Sequence, residues 1–299
     1  MPPSFVIAGA PRAGTTWLYH QLSTHPAIYM APNKGEPRFY SVEETDPLQF
    51  RGPGDDRWLA HFVQRRSDYE ALYAKAGPDQ LRGEASSDYL YRSQVAAPRL
   101  RDDVPSARVI FVLRDPALRA YSNWLQHVQY GREPLSFGEA LDAEEERIES
   151  GWAWWWHYAR RGYYAEQLEP FFNAFPSEQT LILLHDELRS DPRELLRRVC
   201  DFLEIDPSIG SRSEPRQNQS IVPRSAAHAT MRRLLAPAAA AASRALPGAA
   251  EQRLRRWYRR RTLGPTISDA DRRRLRRAYK ADIARLAETT GLDLSGWMA

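Results

Sequence analysis

Ser4 to Ala8 is a short apolar run of β-forming residues that breaks into Gly9-Ala10-Pro11-Arg12-Ala13-Gly14 and restarts at Thr15 with the spacing of a helix. Strand, glycine turn and helix in immediate succession bring backbone N–H groups and the positive end of a helix dipole to one point, where an anion is stabilised. Set against the nucleoside-triphosphatase pattern G-x-x-x-x-G-K-S/T, Gly9, Gly14 and Thr16 fall in register, but Thr15 stands in the lysine position. Arg12 offers a cation from within the loop, as a planar fork of donors and not a point charge. Glycine loops also serve as plain tight turns, so this stretch alone leaves both readings open.

Two further buried strands are legible. Val109 to Leu113 is followed by Arg114-Asp115-Pro116, in which Asp115 caps a helix running to about Tyr130 and Pro116 takes its first position. Thr180 to Leu184 leads through the cap Asp191-Pro192 into a helix with Leu195, Leu196, Val199 and Leu203 on one face. Strands alternating with helices imply an α/β fold, P-loop-like and three-layered, with a central parallel sheet of about five strands flanked by helices. The chain reads as one domain over residues 1–299. Residues 1–210 form the sheet core, and residues 211–299 a covering loop, an Ala/Pro-rich connector at 236–250 and C-terminal helices. The last helix starts at a capping box, Ser268 to Asp271, and carries Leu275, Tyr279, Ile283 and Leu286 on one side.

A chain of 299 residues, 42% hydrophobic, buries a full core without metal or disulfide. Cys200 is the only cysteine, which excludes an intrachain disulfide and a thiolate cluster and fits a reducing cytoplasm. No export signal or membrane span is expected. The net charge of +4 is uneven: Glu251 to Arg277 holds 11 Arg against 3 acids. That segment reads as a polyanion patch or as a solvated helix face, with no specific nucleic-acid partner expected.

Pro11-Arg12-Ala13-Gly14-Thr15-Thr16-Trp17 resembles the 5′-phosphosulfate loop of sulfotransferases that use 3′-phosphoadenosine 5′-phosphosulfate (PAPS). Val112-Leu113-Arg114-Asp115-Pro116-Ala117-Leu118-Arg119-Ala120-Tyr121-Ser122 resembles the second signature of that family. The resemblance implies PAPS as donor, Arg12, Ala13, Gly14, Thr15, Thr16 and Trp17 around the 5′ end, and Arg114 and Ser122 on the 3′-phosphate. The spacing is physically sensible, since Arg114 ends a strand and Ser122 lies two turns into the next helix. Without the resemblance, Arg114 and Asp115 also read as a local ion pair and cap. Asn218-Gln219-Ser220-Ile221-Val222-Pro223-Arg224-Ser225 is similar to the family's later nucleotide loop, which adds Arg216 and Arg224 as candidate contacts.

Sulfuryl transfer needs in-line positioning, cations around the moving group and a base for the acceptor proton; because the sulfuryl group carries less negative charge than a phosphoryl group, an Arg and backbone amides can suffice without Mg²⁺. Arg12 is the candidate cation. Asn33-Lys34-Gly35-Glu36-Pro37-Arg38-Phe39-Tyr40 resembles the acidic segment of the heparan-sulfate-type branch, which implies Glu36 as base. Its plainer reading is a surface carboxylate paired with Lys34 or Arg38. His127 is the second candidate, by analogy with the histidine base of the phenol and steroid branch. Arg38 stands where many relatives carry His, and Ala85 where glycan-sulfating relatives carry Lys, so the acceptor is left between a carbohydrate and a small molecule, hydroxyl or amine. The run Trp152-Ala153-Trp154-Trp155-Trp156 reads either as core or as a stacking wall for that acceptor. The rival classes are a P-loop nucleotide-dependent kinase, against which Thr15 counts, and a non-catalytic nucleotide- or polyanion-binding module.

Overall fold

The computed structural model describes residues 2–32, 36–42, 49–207 and 266–298. Five parallel strands form one sheet in the order β2-β3-β1-β4-β5: β1 Phe5–Gly9, β2 Ile28–Met30, β3 Leu81–Ala85, β4 Arg108–Leu113 and β5 Thr180–Leu184. Six helices of eight or more residues occur among the described residues: α1 Thr15–Leu22, α2 Ser93–Asp103, α3 Pro116–Gln129, α4 Tyr164–Ala174, α5 Pro192–Leu203 and α6 Asp269–Thr290. Phe5 to Ala8 and Val109 to Leu113 are wholly buried, as central strands covered on both faces require.

The caps are where the sequence puts them. Asp115 Oδ1 accepts from the N–H groups of Ala117 (2.8 Å) and Leu118 (3.1 Å), and Asp191 accepts from Glu194 N–H at 3.0 Å. Ser268 starts α6 by accepting from Asp271 N–H. Leu275, Tyr279, Ile283 and Leu286 are buried, and from the same helix Asp282 accepts from the N–H groups of Ala165 and Glu166. One carboxylate thus caps α4 from across the fold. Residues 211–265, which include the Ala/Pro-rich stretch, Arg216 and Arg224, lie outside the described residues, as does Lys34.

The tryptophan run resolves as core. Trp154, Trp155 and Trp156 are 3%, 8% and 1% exposed, so a stacking wall for an acceptor is ruled out at these positions. For Trp155 and Trp156 the reason is Asp55, itself wholly buried, whose carboxylate accepts from the indole N–H groups of Trp155 (2.5 Å) and Trp156 (2.9 Å) and from the backbone N–H groups of Gly52 and Ala153. Indoles whose polar edge is met internally gain by burying their rings. No helix among the described residues is long and apolar enough to cross a membrane.

Candidate active site

Because β1 pairs with β4, with Val6 opposite Val109 and Gly9 opposite Phe111, the loop after β1 and the turn after β4 emerge side by side at the carboxyl edge of the sheet. Open α/β sheets bind ligands at that edge. Ala10 N–H bonds the carbonyl of Val112 at 2.8 Å, Arg114 Nη1 donates to the carbonyl of Arg12 at 3.1 Å, and Arg12 Nε donates to the hydroxyl of Ser122 at 3.1 Å. The two sequence motifs are therefore in direct contact.

The loop is shaped for an anion. Gly14 takes a left-handed φ of 111°, and a Cβ there would stand 2.9 Å from Leu188 Cδ1, so the backbone turns tightly into α1. Past that turn the first N–H groups of α1, on buried Thr15, exposed Thr16 and part-buried Trp17, have no intrahelical acceptor. Burial, with the neighbouring charge of Arg114 second, lowers the pKa of Arg12 to about 10; burial likewise pulls Arg114 down. Arg114 Nε is buried with no hydrogen-bond partner among the described residues. Two partly desolvated guanidinium groups, one with a donor unmet, favour an incoming phosphate or sulfate.

Glu36 stands beside this loop. The turn Ser86–Ser87 follows β3, Ser86 N–H bonds Ile7 O, and Ser87 O lies 3.3 Å from where a Gly9 Cβ would be. On the same turn Ser87 Oγ donates to Glu36 Oε1 at 2.5 Å, and Ser86 Oγ accepts from Arg38 N–H. Arg38 has a left-handed φ of 56°, and its Nη2 meets Glu36 Oε2 at 2.8 Å. Burial raises the pKa of Glu36, and the charge of Arg38 opposes that rise. The Arg38 pairing anticipated from sequence is present, on a carboxylate whose side chain is only 23% exposed.

Residues 3–208 match the description of the Sulfotransferase family. The chain belongs to that family. Among curated relatives it is 30% identical over 212 residues to the bifunctional heparan sulfate N-deacetylase/N-sulfotransferase 2 of Bos taurus, and 26% identical over 251 residues to human carbohydrate sulfotransferase 15. Each match covers 69% of this chain but only 22% and 44% of the relative, so the chain spans a minor part of either. Among solved structures, a sulfotransferase from Alicyclobacillus acidocaldarius is similar over 100% of both chains, with 28% identity and a TM-score of 0.78.

Within this sulfotransferase fold, His127 is packed into the tryptophan core. It is 2% exposed, with its ring 4.9 Å from Trp155, 4.4 Å from Trp156 and 5.6 Å from Tyr158. Burial, reinforced by the charges of nearby arginines, pushes its pKa down to about 3. Sequence reasoning passed over His185, which directly follows β5. Its Cδ2 lies 3.7 Å from where a Gly14 Cβ would be, and burial, then the charge of Arg114, lowers its pKa to about 4. Its place immediately after the third apolar strand was the available signal. Asp88 and Arg161, which complete the surroundings of Glu36, gave none.

Proposed function

We propose that this protein transfers a sulfuryl group from PAPS to a hydroxyl or amine of a carbohydrate or small-molecule acceptor, with Glu36 as general base. The observation that carries the reading is the contact of Arg12 with Ser122 and Arg114, which unites a 5′-anion loop and a strand-end arginine in one site. In this reading Arg12 and the first N–H groups of α1 hold the 5′ end, while Arg114 and Ser122 hold the 3′-phosphate. The bond from sulfur to the phosphate oxygen breaks as a bond forms to the acceptor heteroatom, whose proton passes to a Glu36 carboxylate oxygen. The developing charge on the departing phosphate is met by Arg12 and the helix dipole. Relatives named for heparan sulfate and carbohydrate support a sugar acceptor. The lone, buried Cys200 supports work in a reducing compartment such as the cytoplasm.

The test is calorimetry of adenosine 3′,5′-bisphosphate against AMP, followed by transfer from radiolabelled PAPS to an amino-sugar oligosaccharide, its N-acetylated form and simple phenols. Preference for the bisphosphate with transfer to one of these acceptors is expected. Equal affinity for the two nucleotides would overturn the donor assignment.

A further inference from the structure

Glu36 and Arg38, both part-buried, join the buried Asp88 and Arg161 in a set of four charges. Arg38 Nη2 meets Glu36 at 2.8 Å while its Nε meets Asp88 Oδ2 at 2.5 Å, so one guanidinium bridges two carboxylates. Arg161 Nη2 bonds the other oxygen of Asp88. Side chains of Asp88 and Arg161 are each 3% exposed, and the Arg38 guanidinium lies 5.3 Å from the Trp58 ring centre and 5.1 Å from that of Phe62. Walls of this kind keep water from screening the charges, so each is felt strongly by the others.

These pieces come from four parts of the chain: the segment of Glu36 and Arg38, the Ser86–Ser87 turn, the helix Asp88–Tyr91 and the helix Arg160–Gly162. The charged groups acting on Glu36 are Arg38, Asp88 and Arg161, with the Ser87 hydroxyl as a neutral donor. With Glu36 ionised, two cations face two anions. When Glu36 accepts a proton, two cations face Asp88 alone, and Arg38 is free to turn wholly to Asp88.

We propose that Asp88 and Arg161 are positioning residues that divide the charge of Arg38 and thereby set the pH at which Glu36 accepts a proton. The inference rests on Glu36 being the base. Its sign follows from the geometry. Removing the charge of Asp88 gives Arg38 entirely to Glu36, which makes Glu36 more acidic. Removing the charge of Arg161 leaves Asp88 and Glu36 to share one cation, which makes Glu36 less acidic. A purely structural role has no reason to move the two variants in opposite directions.

The experiment is a carbon-13 carboxyl titration by NMR of protein labelled at glutamate, with the Glu36 signal assigned by its loss in Glu36→Gln. It needs no acceptor. The midpoint is expected to fall by about one pH unit in Asp88→Asn and to rise by a similar amount in Arg161→Gln, while Arg161→Lys, which keeps the charge, stays nearer the wild type. Shifts in the same direction, or none in either variant, would overturn the inference. If Arg161→Gln lacks a cooperative melting transition, Asp88→Asn decides alone: a midpoint that stays or rises rejects the proposal. Sulfuryl transfer by Glu36→Gln separates the two readings. Surviving turnover there rejects Glu36 as base and leaves the titration standing, whereas a dead Glu36→Gln with immobile midpoints rejects the positioning role alone.

Discussion

Arg12 Nε donates to Ser122 Oγ at 3.1 Å across 110 residues of sequence. The hydroxyl has its own proton still to give, so Ser122 can accept from the loop and donate to a phosphate oxygen at once. Ser122→Ala removes the bond to the phosphate oxygen and is expected to weaken binding of adenosine 3′,5′-bisphosphate by roughly tenfold, the value of about one hydrogen bond, with a smaller loss for AMP through the lost bond to Arg12. Calorimetry with the two nucleotides checks this, and an equal loss for both would show that Ser122 supports the loop and not the 3′-phosphate.

The pH dependence of turnover follows from the surroundings of Glu36. A base works when deprotonated, and burial raises the Glu36 pKa above the ordinary value of 4.5. Activity therefore rises with pH through that elevated pKa and falls away below it. Glu36→Gln is expected to lower kcat by about a hundredfold or more and to abolish the acid limb. A kcat/KM profile whose acid limb survives the substitution would assign that limb to another group.

Much of this architecture is written in local sequence. Val109 to Leu113 and Thr180 to Leu184 are apolar runs of strand length, and Asp115, Asp191 and Ser268 announce their helices because a cap acts on N–H groups two or three residues away. Leu81–Ala85 carries Arg82 and Glu84 and so breaks the apolar pattern of a buried strand. The hydroxyls of Tyr69 and Tyr73 both donate to Glu84 Oε2, which offsets part of the cost of burying it. Ile28–Met30 is too short to show a period. At the site, the anion loop and the Arg114–Ser122 segment were legible as motifs. The arrangement of Arg38, Asp88 and Arg161 was not, since bonds between residues 50 and 73 positions apart leave no spacing to read.

Asp55 illustrates how a distant carboxylate can decide the fate of a tryptophan run. Its oxygens meet four N–H donors, two of them indoles, with no exposure to solvent. Asp55→Ala leaves those donors buried and unmet, at a cost of about 3 kcal/mol or more. Urea unfolding followed by tryptophan fluorescence should show the midpoint falling. A stability within about 0.5 kcal/mol of wild type, the usual scatter of surface substitutions, would mean that water reaches the indoles.

Gly9 ends β1 where the anion loop begins, and a Cβ there would lie 2.5 Å from Leu90 Cβ, 3.0 Å from Leu90 Cδ2 and 3.3 Å from Ser87 O. Gly9→Ala therefore pushes the loop away from the turn that also carries the Glu36 hydrogen bond, at a cost of about 1–3 kcal/mol. Nucleotide binding and turnover should fall together. Because the nearest clash is with Cβ, trimming the neighbour by Leu90→Ala leaves it in place, whereas Leu90→Gly removes it. The double variant Gly9→Ala with Leu90→Gly is thus expected to regain more nucleotide affinity than Gly9→Ala with Leu90→Ala, even though it loses more buried apolar surface. Measured by calorimetry, equal affinities of the two double variants would mean that the contact at Leu90 Cβ does not hold the loop in its binding shape.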